Sequence, residues 1–70
     1  MAIRDKLAMR LRMERARVDM TQSDVASSAG ITPAMLCDYE NGVRTPTLQT
    51  LAALADFYQV SLDYLTGRND

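Results

Sequence analysis

The sequence predicts an all-α fold, a compact five-helix bundle forming a single domain over residues 1–70. Three observations predict it. Thr21, Thr32, Thr47 and Ser61 each stand just before a segment with helically spaced apolar residues, as N-caps do. Leu and Ala dominate a hydrophobic content of 47%, which favours helix. No stretch alternates apolar and polar residues with period two, so strands are not expected.

The first helix runs from residue 3 to about 18. Leu7, Leu11 and Val18 mark its inward stripe, with Ile3 one turn before them. Met9 and Met13 flank that stripe as edge packing, and the arginines lie mostly off it. Asp19-Met20 makes a turn, with Met20 as a buried plug. Thr21 caps the second helix, and Asp24 three residues on resembles the acidic half of a capping box. Val25, Ala26 and Ala29 recur at helical spacing. Gly30 ends that helix, because glycine takes a left-handed conformation freely. Ile31 plugs the turn. Thr32 caps the third helix and Pro33 occupies its first position, where a missing N–H costs nothing. Leu36 and Tyr39 face inward, and Asn41-Gly42 closes the element. Thr21 to Gly42 is thus a helix-turn-helix pattern, with small Ala26 at the helix crossing. The plainer alternative is a helical hairpin within any small bundle.

Val43 to Pro46 form a loop. Thr47 caps a fourth helix, Leu48 to about Tyr58. Its Leu48, Leu51, Ala52, Leu54, Ala55 and Tyr58 make an apolar face wide enough to centre the core. Gln59 ends it, with strain if the residue is left-handed. Val60 packs inward, and Ser61 caps a short fifth helix that buries Leu62 and Leu65. Gly67 stops it, and residues 68–70 are expected to fray.

Composition narrows the function. With one cysteine, Cys37, and no histidine, the chain has no internal disulfide, no zinc site and no Cys-His or Ser-His-Asp set. No metal, no cofactor and no enzymatic activity are expected. The cysteine usage fits a reducing, cytoplasmic compartment. The longest apolar run is far below a membrane span, and the N-terminus lacks the features of a signal peptide. The net charge is −1, yet residues 1–17 carry +4 and residues 18–70 carry −5. That segregation makes either one basic edge or a solvated helix face.

The run from Leu11 to Arg68 resembles the Cro/C1-type (XRE-like) helix-turn-helix domain of bacterial and phage repressors. The motifs that carry the resemblance are Leu11-Arg12 and Arg15, Thr21-Gln22, Ala26, Gly30, Glu40-Asn41-Gly42, Arg44 with Pro46, and the ending VSLDYLTGR. That ending is similar to immunity and lysogeny repressors of Gram-positive bacteria and their mobile elements. The resemblance implies a lambda-repressor-like domain that binds double-stranded DNA as a dimeric transcriptional repressor, bacterial or phage-encoded. It implies neither a membrane nor a small-molecule ligand. The helix from Pro33 to Asn41 would enter the major groove, with Pro33, Ala34, Cys37 and Asp38 meeting base edges. Gln22 would hold a phosphate and sometimes reach a base, and Asn41 and Arg44 would hold phosphates. Thr21 and Thr32 stand beside them at the helix starts. Arg15 would pair with Glu40 beneath the motif, where a bidentate contact fixes the angle between two helices.

The outward residues have a chemistry of their own. Pro33 and Ala34 offer only apolar contacts, for example to a thymine methyl. Asp38 can accept from a cytosine amino group but repels phosphate. Val43 stands where the family often has Lys. Cys37 is either a redox-sensitive thiol or simply a small helix residue. Three readings stay open: recognition by shape and phosphate with thymine contacts, weak binding reinforced by dimerisation, and a protein-interaction module, antitoxin-like or adaptor, that keeps the fold. Phe57 and Tyr64 fall off the buried stripe and are the candidate dimer contacts.

Overall fold

Five helices form, the last four where their caps place them: α1 (Ile3–Val18), α2 (Gln22–Ala29), α3 (Pro33–Glu40), α4 (Leu48–Tyr58) and α5 (Leu62–Thr66). The computed structural model describes residues 2–68, and no strand occurs among them. The hydroxyls of Thr21, Thr32 and Thr47 accept the N–H groups of Asp24, Met35 and Thr50 at 3.1 Å, and that of Ser61 accepts Tyr64 N–H at 3.0 Å. Each bond satisfies a donor that the helix itself cannot. No helix of the described residues is long and apolar enough to cross a membrane.

The C-termini divide by residue type. Gly30 ends α2 with φ 74°, so that Ile31 N–H reaches back to the Ala26 carbonyl at 3.0 Å. This closes the turn between the two helices of the motif. Asp19 and Gln59 adopt the same left-handed conformation, at φ 55° and 58°, without being glycine. The strain expected at Gln59 is present, and Asp19 shares it. Of the residues expected to fray, Arg68 donates its N–H to the Asp63 carbonyl at 2.8 Å. Residues 69 and 70 lie outside the described residues.

Leu7, Leu11, Val25, Leu36, Leu54, Tyr58 and Leu65 fill the core, so every helix contributes to it. Val18, Met20 and Leu51 are half-buried against its edge, and Met9 is also half-buried. Met13 is exposed rather than packed.

Three expected core residues are exposed: Ile3 at 57%, Leu48 at 73% and Leu62 at 37%. All three share one position, the first residue of a helix. Side chains on a helix lean toward its N-terminus. At the first position they therefore overhang the helix start instead of covering a preceding turn. Apolar spacing alone does not register this end effect.

Candidate nucleic-acid interface

The motif is assembled around one buried carboxylate. Glu40, 2% exposed, lies on the inner side of α3. Arg15 donates to it twice, Nε to Oε2 at 2.8 Å and Nη2 to Oε1 at 3.1 Å. Gln22 Nε2 donates to Oε1 at 2.9 Å. Arg15 also reaches the Met20 carbonyl through Nη1 at 3.3 Å, and Arg12 Nη1 donates to the Glu40 carbonyl at the end of α3. Helices α1, α2 and α3 are thereby locked together by charge-assisted bonds. The Glu40 carboxylate holds the Arg15 guanidinium above its ordinary pKa, against the opposing effect of burial. The Tyr58 hydroxyl is pushed up to about 12, first by burial and then by the charge of Glu40.

A second buried carboxylate, Glu14, ties α1 to α5. It accepts Arg17 Nε at 2.7 Å and the Tyr64 hydroxyl at 3.0 Å. Arg17 Nη2 donates to the Tyr58 carbonyl at 3.0 Å. Arg10 Nη1 donates to the Tyr64 carbonyl at 2.8 Å, and its guanidinium sits 4.4 Å from the centre of the Tyr64 ring. Burial and the bond to Glu14 raise the Tyr64 pKa.

The arginines of α1 do more than line a charged surface, although Arg4, Arg12 and Arg17 remain exposed. Arg10, Arg12 and Arg17 serve carbonyls at or near the C-termini of α5, α3 and α4, where helices leave acceptors unsatisfied. Periodicity places these cations off the apolar stripe but says nothing of the carbonyls that later elements bring to them.

The outer side of α3 is different. Pro33 and Ala34 are exposed, and Cys37 and Asp38 are half-exposed. Asn41 Nδ2 lies 3.3 Å from Cys37 Sγ, one turn back on the same helix face. Arg44 Nε lies 3.8 Å from Asp38 Oδ2. Thr21 and Thr32 are exposed at the starts of α2 and α3, their oxygens occupied as caps. Gln22 is half-buried and turned toward Glu40.

Of the residues singled out from the sequence, Pro33, Ala34, Cys37, Asp38, Asn41 and Arg44 share this surface, while Arg15 and Glu40 lie beneath it. Two links went unread in the sequence: Gln22 to Glu40, and Arg44 to Asp38. The first needs the α2–α3 crossing and the second needs the loop after α3 to fold back. The Cys37–Asn41 contact did have a local signal, the i,i+4 spacing.

Phe57 and Tyr64 lie apart from this face. Both are half-buried, and Phe57 packs edge-on against Tyr58 at 5.2 Å between ring centres. They line a groove of about 480 Å³ with Val18 and Val60. Among the described residues, no group of three or more His, Cys, Asp or Glu side chains is placed to hold a metal.

Comparison with known proteins agrees with this arrangement. Residues 11–65 match the family described as Helix-turn-helix. The transcriptional repressor RstR of the cryptic phage CTXphi, from Vibrio cholerae serotype O1, is 35% identical over 63 residues, covering 90% of this chain and 56% of that protein. The HTH-type transcriptional regulator ImmR of Bacillus subtilis is 36% identical over 64 residues, 91% of this chain and 50% of that protein. The chain therefore spans about half the length of these curated relatives. Among solved structures, the P22 c2 repressor in complex with a synthetic operator superposes with a TM-score of 0.82 at 25% identity, over 84% of this chain and 89% of that one. The capped α2–α3 pair, the carboxylate locked beneath it and these matches together place the chain in the helix-turn-helix family of Cro/C1 (XRE) type.

Proposed function

We propose that this chain binds double-stranded DNA as the operator-reading part of a transcriptional repressor, and that it does so as a homodimer in the bacterial cytoplasm. One observation carries the reading. The inner side of α3 is held by Leu36, Tyr39 and the Glu40 network, while Pro33, Ala34, Cys37 and Asp38 on its outer side take no part in the core. A helix fixed from behind and open in front can enter a major groove without disturbing the fold. The operator complex of the P22 c2 repressor and the repressor RstR support the same reading.

The roles follow from donor chemistry. Thr21 and Thr32 use oxygen lone pairs as caps, so their O–H hydrogens are left to donate to phosphate beside the helix N-termini. Gln22 uses one amide N–H on Glu40 and has a second for phosphate. Asn41 and Arg44 hold the backbone on the far side of α3. Pro33 and Ala34 meet thymine methyl groups, and Cys37 fits beside them as a small residue. Phe57 and Tyr64 face the second copy, which sets two half-sites about 34–36 Å apart. Repression is steric, because an occupied operator excludes polymerase.

Selection from a random duplex library at several salt concentrations tests this. A two-fold symmetric motif is the expected result. A single unpaired motif removes the dimer from the reading. Absence of retention even at low salt removes DNA binding and directs the search to a protein partner.

A further inference from the structure

We propose that Asp38, with its charge offset by Arg44, is the residue of α3 that selects a base by hydrogen bonding, beside the apolar contacts of Pro33 and Ala34, and that it recognises an exocyclic amino group in the major groove, cytosine N4 or adenine N6. The inference rests on the DNA-binding reading above and adds to it a residue pair and a base class.

Pro33 and Ala34 carry no polar side-chain atom. The Cys37 sulfur is already engaged by Asn41 Nδ2 at 3.3 Å. Asn41 and Arg44 lie beyond the last residue of α3, so among the outward residues within the helix Asp38 is left as the hydrogen-bonding side chain, 40% exposed. An ionised carboxylate only accepts hydrogen bonds. The donors that bases present in the major groove are the amino groups of cytosine and adenine, whereas guanine N7 and O6 and thymine O4 are acceptors. A carboxylate at this point therefore selects cytosine or adenine and rejects guanine and thymine.

A lone carboxylate would also be repelled by the phosphates on either side, and Arg44 removes that objection. The loop after α3 folds back so that the N–H groups of Val43 and Arg44 both approach the Asp38 carbonyl, at 3.0 and 3.4 Å. The Arg44 side chain starts from this anchored backbone, and its Nε lies 3.8 Å from Asp38 Oδ2. The pair is half-exposed, at 53% for Arg44 and 40% for Asp38, so it remains open to a ligand. Oδ1 is left for a base, and the remaining guanidinium donors are left for a phosphate. Arg44 is then a positioning residue as well as a phosphate contact.

The test compares the 70-residue chain with Asp38→Asn, Asp38→Ser, Arg44→Lys, Arg44→Ala and the Asp38→Asn/Arg44→Ala double variant. Each binds the selected duplex and a panel in which every position is changed in turn, with folding checked by thermal unfolding. The unsubstituted chain should prefer cytosine or adenine at one position of the half-site by on the order of ten-fold. The panel shows directly which of the two amino groups is read. Asp38→Ser should flatten the preference at that position alone. Asp38→Asn, whose amide both donates and accepts, should shift it toward adenine and away from cytosine, and Arg44→Lys should keep the parent preference. Arg44→Ala should weaken binding to every duplex, and adding Asp38→Asn should restore part of the loss by removing the unpaired charge. The proposal is overturned if both Asp38 variants leave every base preference unchanged, or if the Arg44→Ala and Asp38→Asn effects simply multiply. If the unsubstituted chain retains no DNA at low salt, the DNA-binding reading itself fails, which is a distinct result.

Discussion

Glu40 is the residue on which the motif depends most. Its carboxylate takes three hydrogen bonds from Arg15 and Gln22 while 2% exposed, whereas the Arg15 side chain is 29% exposed. Removing the carboxylate strands a half-buried guanidinium and a glutamine amide together, and breaking a buried pair from one side costs about 3–5 kcal/mol. Glu40→Ala is therefore expected to lower the denaturant midpoint more than any surface substitution, and an unchanged midpoint would contradict the account. Tyr58 nearby behaves oppositely. Its hydroxyl is buried with no hydrogen-bond partner among the described residues, and an unsatisfied buried group costs about 1–3 kcal/mol. Tyr58→Phe should leave stability unchanged or raise it at neutral pH. The same hydroxyl sets an alkaline limit. An unfolded tyrosine titrates near 10, and the folded one at about 12. The folded state thus holds this proton more tightly, so its stabilisation is complete below pH 10 and is lost as pH rises through 12. Two units correspond to roughly 2–3 kcal/mol. Unfolding measured between pH 9 and 12 should show a smaller loss in Tyr58→Phe than in the parent, with the part due to Tyr64 remaining.

At the scale of elements, helix starts are written in local chemistry and helix ends only partly so. A threonine before an apolar run marks a cap whatever the rest of the chain does, which is why the four side-chain caps were legible at Thr21, Thr32, Thr47 and Ser61. Ile3, Leu48 and Leu62 were misread because the apolar period has no term for a side chain overhanging the first turn. The Glu40–Arg15 pair was legible through family resemblance. The carbonyls served by Arg10, Arg12 and Arg17 were not, since each lies on an element more than 25 residues away. Two helix ends give a paired prediction. Gln59 is left-handed at φ 58°, where a Cβ costs about 1–2 kcal/mol. Gln59→Gly should raise the melting temperature, the gain reduced by the greater freedom of glycine in the unfolded chain. Gly67 has φ 80°, and a Cβ there would overlap the Lys6 side chain. Gly67→Ala should therefore lower stability by more than about 1 kcal/mol. Equal effects of the two substitutions would mean that backbone conformation does not govern these ends.

For the whole molecule, the question is how a chain of net charge −1 holds a polyanion. Its cations are concentrated in residues 1–17, but four of them are already committed. Arg10 and Arg12 serve backbone carbonyls, Arg15 serves Glu40, and Arg17 serves Glu14 and the Tyr58 carbonyl. Arg44, the cation of the α3 face, is shared with Asp38. Affinity must then come from neutral donors at the helix starts, from fit in the groove and from pairing of two copies, with little counterion release. Each phosphate neutralised by a cation contributes a slope of about −0.9 to the logarithm of affinity against the logarithm of salt. One to three such contacts give a slope of about −1 to −3 for each domain bound. Equilibrium binding to the selected duplex between 50 and 200 mM salt measures it. A slope near −5 per domain would mean that the α1 arginines leave their carbonyl and carboxylate partners to reach phosphates. In that case the helix ends they hold would loosen on DNA, and their amides would exchange faster in the complex than in the free chain. A shallow slope with unchanged protection would mean instead that α1 remains a structural clamp and that recognition is carried by α3, its flanking donors and the second copy.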